Sequence, residues 1–104
     1  MSIPRELSML SIAAKAGKVA SGGFLCEKAI AEGHAYFVII ARDASDNTKK
    51  KFRNKCSFYK VDCTEYGSSD ELGRCIGKEA RTVIAITDAG LSEQVKKKLP
   101  GMDR

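Results

Sequence analysis

The chain has no apolar run long enough to cross a membrane: the best stretch, Ala35 to Ala41, is seven residues, against the roughly twenty a spanning helix needs. From Met1 to Gly17 the apolar residues are interrupted by Arg5, Glu6 and Lys15, so no secretion signal is legible there. The expectation is a cytoplasmic protein with no membrane partner. Closely spaced metal ligands are also missing. Cys26, Cys56, Cys63 and Cys75 stand 30, 7 and 12 positions apart, and the one histidine, His34, has no ligand at helical spacing. That pattern lacks the C-x-x-C pairs of structural zinc sites. The four thiols read as small core hydrophobes of a reducing compartment, with no metal and no cofactor implied.

Catalytic signatures are equally scarce. The turn from Gly17 to Phe24 carries glycines before a helix, but no Lys and Ser/Thr follow Gly23 to engage terminal phosphates and Mg²⁺, which argues against a nucleotide-hydrolysing loop. What it retains is a glycine-rich helix N-terminus, which reads equally as a site that an RNA backbone can approach closely and as a plain helix start. Asp43 and Asp88 follow the two most apolar segments, where α/β enzymes often place carboxylates, but both also begin turns, for which Asp is favoured. With one histidine and scattered acids, no base, nucleophile and orienting group are assembled, and the reading is not an enzyme.

What is present fits one domain over residues 1–104, long enough to bury a core without staples. The net charge of +5 is concentrated. Between Asn47 and Val61 lie Lys49, Lys50, Lys51, Arg53, Lys55 and Lys60 and no acid, so this window carries +6 and the remainder −1. Such a patch raises the local concentration of polyanions, nucleic acid first among them. The competing reading is a solvated helix face.

The apolar period changes along the chain. Ile3, Leu7, Leu10 and Ala14 mark an amphipathic helix with Ser2 as N-cap, Pro4 in its first turn and Gly17 past its end. Lys18 to Ala20 is a short extended piece. Gly22 and Gly23 open a second helix with Leu25, Cys26, Ala29 and Ile30 inward and Gly33 as its stop. The unalternating run Ala35 to Ala41 suits a central strand covered on both faces. Asp43, Ser45, Asp46 and Asn47 supply turn and cap chemistry for a basic helix with Thr48, Phe52 and Cys56 inward. A strand around Val61 follows. Ser68 with Glu71 fits a capping box for a helix with Leu72, Cys75 and Ile76 inward and Gly77 at its end. Thr82 to Thr87 is the last strand, and Leu91, Val95 and Leu99 step along a closing helix from Gly90. Pro100 to Arg104 read as dispensable. Helices alternating with three or four short apolar strands imply a three-layer α/β/α sandwich around a small sheet.

Four segments, in order and spacing, carry a family resemblance: Gly22 to Gly33, ending Lys-Ala-Ile-Ala-Glu-Gly; Phe37 to Asp43, Phe-Val-Ile-Ile-Ala-Arg-Asp; Glu71 to Gly77, Glu-Leu-Gly-Arg-Cys-Ile-Gly; and Val83 to Thr87. From about Leu10 to Leu99 the sequence resembles the L-seven-Ae family of kink-turn-binding ribosomal proteins. The run Asp43 to Lys51 resembles its bacterial YlxQ-like branch in particular. The resemblance implies a four-stranded mixed sheet and an RNA site in which three surfaces meet at one edge: Gly22 to Lys28, Arg42 to Ser45, and Gly77 to Thr82. In the family, a Gly-x-Asn-Glu-x-x-Lys pattern reads the sheared G·A pairs of a kink-turn. Gly22 and Lys28 match its outer positions, whereas Phe24 and Leu25 replace the Asn and Glu. Ser45 stands where relatives often carry a carboxylate near a flipped nucleotide.

Asn and Glu hydrogen-bond base edges, whereas Phe and Leu offer apolar contact or stacking. That substitution leaves three readings open: less selective binding, a different bend, or an unpaired base stacked on Phe24. The resemblance thus implies a ribosomal-protein-like partner of structured RNA in the translation machinery, ribosomal RNA or a kink-turn RNA, with the ribosome itself as a further partner. Gly22 and Gly23 would admit the RNA backbone; Lys28, Lys49, Lys50, Lys78 and Arg81 would contact phosphates; Arg42 would stack or pair. The alternative is a non-enzymatic protein-interaction module on the same scaffold.

Overall fold

A computed structural model describes residues 4–99. Its strands are β1 (Val19–Ser21), β2 (Phe37–Ile40), β3 (Asp62–Glu65) and β4 (Val83–Ile86). They form one mixed sheet in the order β1-β4-β2-β3, with β4 antiparallel to both neighbours and β2 parallel to β3. The helices are α1 (Ser8–Lys15), preceded by a 3-10 turn at Arg5–Leu7, then α2 (Gly23–Ala31), α3 (Asp46–Tyr59), α4 (Ser69–Cys75) and α5 (Ala89–Lys98).

Burial explains the layering. All four residues of β2 and of β4 are buried, so these inner strands need helices on both faces. Phe37, Ile39, Ile84 and Ile86 pack with Leu7, Leu10, Ala13, Leu72, Cys75 and Val95, the layer of α1, α4 and α5. Val38, Ile40, Val83 and Ala85 pack with Cys26, Ile30, Phe52 and Cys56, the layer of α2 and α3. The expected three-layer α/β/α sandwich with a four-stranded mixed sheet is therefore what the chain forms. The Lys18 to Ala20 piece is the edge strand β1, and the Ser68 and Glu71 side chains cap α4 reciprocally, as the sequence predicts.

Several inward assignments shift. Leu25 is 51% exposed, because α2 contacts the sheet through Cys26, Ala29 and Ile30 and Leu25 is turned about 100° away from Cys26. In α1 Leu10 is joined in the core by Ala13 rather than by Ala14, which is half-buried, since the helix begins only at Ser8 after the 3-10 turn and its phase is reset. Thr48, Ile76 and Leu91 are half-buried. Cys63 is also half-buried, since β3 is an edge strand, whereas Cys26, Cys56 and Cys75 are core residues. Ser2, Ile3 and Pro100 to Arg104 lie outside the described residues.

Candidate nucleic-acid interface

The strand order decides the site. Because β1, β2 and β3 run the same way and β4 opposes them, the carboxyl ends of three strands share an edge with the start of β4. The chain leaves β1, β2 and β3 at that edge directly into α2, α3 and α4. Three helix amino termini therefore converge there, each with the partial positive charge of its unpaired N–H groups. The α3 and α4 termini are closed by their own side chains: Ser45 Oγ accepts from Thr48 N–H at 3.1 Å, and Ser68 Oγ from Glu71 N–H at 3.1 Å. At α2 the N-cap is Gly22, which offers no side chain, so the first-turn N–H groups of that helix face outward unsatisfied.

Gly22 has φ +88 and ψ 160, a backbone state that only glycine adopts readily. Its N–H donates to Val83 C=O at 3.1 Å, pinning the helix start to β4. A methyl group at Gly22 or Gly23 would meet no heavy atom within 4 Å, so the approach is open. Beyond the glycines stand Phe24, 78% exposed, and Leu25. Lys28, four residues after Phe24, shares its helix face and is exposed.

Of the other two loops, the one after α4 reaches this terminus and the one after β2 lies further along the same edge. Arg81 bends back over its own loop, donating from Nη1 to Glu79 C=O at 3.2 Å and Ala80 C=O at 3.0 Å, and its Nε reaches Ser21 Oγ at 3.4 Å, beside Gly22. Arg81 N–H also donates to Ser69 C=O at 3.0 Å, and Lys78 on the same loop is exposed. On the loop after β2, the Arg42 guanidinium lies over the Tyr66 ring, 4.9 Å from its centroid. Asp43 accepts from Ser69 N–H and Oγ, and those bonds hold its carboxyl below the usual carboxylate range. The three surfaces named in the sequence thus occupy one edge.

The cations of α3 are not one patch. Lys49 and Arg53, one turn apart, both reach Glu65 on β3, Lys49 Nζ at 3.6 Å and Arg53 Nη2 at 2.8 Å. Arg53 in turn depresses the Glu65 carboxyl pKa. Lys51 pairs with Glu27 on α2 at 2.8 Å. Lys50 is exposed between them. Of the lysines predicted from sequence, Lys50 projects to solvent, while Lys49 braces α3 against the sheet. Ser45 reaches the edge as the α3 cap, its hydroxyl engaged with Thr48.

The two other candidates of the sequence, Asp88 and His34, lie outside this edge site. Asp88 caps α5, accepting from Leu91 N–H at 2.8 Å. His34 is exposed in the turn before β2, at the opposite edge. Among the described residues no three His, Cys, Asp or Glu side chains are grouped to hold a metal ion, and no helix is long and apolar enough to cross a membrane. The Asp43–Ser69 contact, the Arg53–Glu65 pair and the Tyr66 platform under Arg42 were not legible in the sequence, because each joins segments whose proximity only the sheet order creates.

The geometry defines a small α/β/α protein that presents an open helix terminus and cations from two loops and from α2 along one sheet edge. A family model, the Ribosomal protein L7Ae/L30e/S12e/Gadd45 family, matches residues 7–96. The chain belongs to that family and, within it, to the bacterial YlxQ-like branch. It is 45% identical over 87 residues to the RNA-binding protein YlxQ of Bacillus subtilis (strain 168), covering 84% of this chain and 87% of that protein. To the RNA-binding protein YlxQ of Enterococcus faecium it is 37% identical over 97 residues, 93% of each chain. Among solved structures, a Bacillus halodurans C protein described as of unknown function superimposes with a TM-score of 0.87 at 37% identity, over 90% of this chain and 95% of the other. The Giardia lamblia 15.5kD RNA binding protein shares the fold, with a TM-score of 0.78 at 23% identity over 93% and 86% of the two chains.

Proposed function

We propose that this protein binds structured RNA, a kink-turn or a related bend of the translation machinery, in the cytoplasm and without catalysing a reaction. The observation that carries this reading is the convergence at one sheet edge of the open α2 terminus, with Phe24 and Lys28 beyond it, and the loops of Arg42 and Arg81. Backbone N–H groups and guanidinium ions at fixed positions suit phosphate oxygens. Exposed Phe24 offers a ring on which an unstacked base can lie, the mode by which irregular RNA is commonly read. The names of the curated relatives, both RNA-binding proteins, support the same conclusion.

The experiment is a titration of a kink-turn RNA, and of a regular duplex of equal length, at several salt concentrations. Tighter binding of the bent RNA, with an affinity that falls as salt rises, is the expected result. Equal binding of both RNAs and of an acidic protein of matched charge would assign the surface to protein contacts or to solubility.

A further inference from the structure

We propose that the outward face of α3 is a second RNA contact, a track for an unpaired strand that leaves the RNA held at the sheet edge and ends with a base stacked on Phe58. The inference rests on the RNA-binding reading given above. The helix begins at that edge and, at fourteen residues, spans about 21 Å to the opposite one. Along its solvent side Asn47, Lys50, Asn54, Ser57 and Phe58 are all exposed, the spacing of one continuous helical stripe. Asp46, in the first turn and one turn before Lys50, is the acid where the stripe joins the edge; beyond it the stripe carries Lys50, which makes no ion pair among the described residues, and reaches Phe58 with no further acid.

Phe58 is the second most exposed large apolar side chain among the described residues, at 77%, and Tyr59 beside it is 41% exposed. Their rings meet edge to face at 4.9 Å between centroids, and Lys55 Nζ lies 5.7 Å from the Tyr59 ring. Lys60 follows directly, held in the left-handed conformation that ends the helix. Rings interleaved with lysines are what a single strand requires, since every base has a face to stack and every linkage a charge to neutralise. A regular duplex cannot use the rings because its bases are already stacked. Two aromatic side chains among lysines make a small patch, and lysine is depleted at protein interfaces, so a protein partner suits the surface less well. The amino end of α3 favours anions and its carboxyl end does not. Lys50 therefore supplies the electrostatic part of the contact, and Phe58 the part that salt does not screen.

The test compares one kink-turn RNA in blunt form with the same RNA bearing a roughly six-nucleotide uridine tail, a length within the range of single-strand sites, on each strand end in turn. On the native protein one tail should tighten binding at least about fivefold, the low end of one base–aromatic stack. Phe58→Ala should abolish that gain, leave blunt RNA bound as before and leave the salt slope unchanged, and Phe58→Trp should keep the gain. The exposure of Phe58 makes these substitutions harmless to folding, which a melting curve verifies. Blunt RNA bound normally with no gain from either tail, or a gain that survives Phe58→Ala, would overturn the track while leaving the edge site standing. Tailed RNA bound through Phe58 with blunt RNA unbound would support the track and refute the edge site. Loss of a protein partner rather than of tailed RNA in Phe58→Ala would assign the patch to protein docking and overturn the proposal.

Discussion

The carboxylate of Asp43 accepts two hydrogen bonds from Ser69, from its backbone N–H at 2.9 Å and from its hydroxyl at 3.0 Å, across 26 residues of sequence. It ties the loop after β2 to the first turn of α4, and Ser69 C=O in turn accepts from Arg81 N–H. Two of the three loops at the candidate RNA edge are thus held through one serine.

Asp43→Ala should therefore lower the melting temperature and weaken RNA binding together. The sign of its pH dependence follows from the depressed carboxyl pKa. Stability from this contact is complete above the unfolded value of about 3.9 and is lost as the pH falls through the lower folded value. Melting curves of native and variant protein should differ at neutral pH and converge as the pH falls through that lower value; a difference that persists once the carboxyl is protonated would contradict the assignment.

Gly73→Ala should be costly although the residue lies in a helix. A methyl group there would be driven into the carbonyl oxygen of Glu79, and the backbone of Ala80 is close behind it. Backbone cannot rotate aside, so the loop carrying Lys78 and Arg81 must move. A loss of roughly 1–3 kcal/mol is expected from overpacking, measured by urea denaturation, with a fall in RNA affinity beyond what partial unfolding explains.

Phe24→Asn with Leu25→Glu should raise discrimination between a kink-turn and a mutant lacking its G·A pairs by about 1–3 kcal/mol, the scale of a well-placed base contact. Both positions are exposed, so stability should change little. Lys28→Gln is the control, weakening both RNAs alike. Strong rejection of the mutant RNA by the native protein would instead assign recognition to the backbone at Gly22 and Gly23 or to the loop from Gly77 to Thr82.

The lysines of α3 should separate. Lys50→Gln should reduce the salt slope of RNA binding by roughly 0.7–0.9, one phosphate contact. Lys49→Gln should change it less, because that ammonium is already matched to Glu65. Equal slopes for the two variants would mean that the Glu65 pair opens on RNA.

Cys63 should be the reactive thiol. The neighbouring Cys56 thiol, with help from Arg53, holds its pKa below the usual thiol range, whereas burial pushes Cys26 up to about 12 and Cys75 up to about 11. Its thiolate forms at a lower pH than those of the other cysteines, so alkylation followed by mass spectrometry should label Cys63 first, at a rate that rises with pH before the other thiols react. Cys56→Ala should shift the midpoint upward.

Local sequence decided the elements, because each depends on neighbours within a turn or two. The Ser68 and Glu71 capping box, the glycine stop at Gly33 and the buried runs of β2 and β4 all stand in the fold where the residues indicate. Resemblance also located three segments of the candidate site. Tertiary structure decided what periodicity cannot encode: that β4 lies between β1 and β2, which brings Arg81 to Ser21 sixty positions away. It decided that Leu25 faces water, because the angle at which α2 meets the sheet selects its buried stripe. It also distributed the cations of α3 among Glu65, Glu27 and solvent. Lys49, Lys50 and Lys51 are equivalent in sequence, but a helix turns each by about 100° from the last, and which carboxylate stands opposite is settled only by the elements packed beside it.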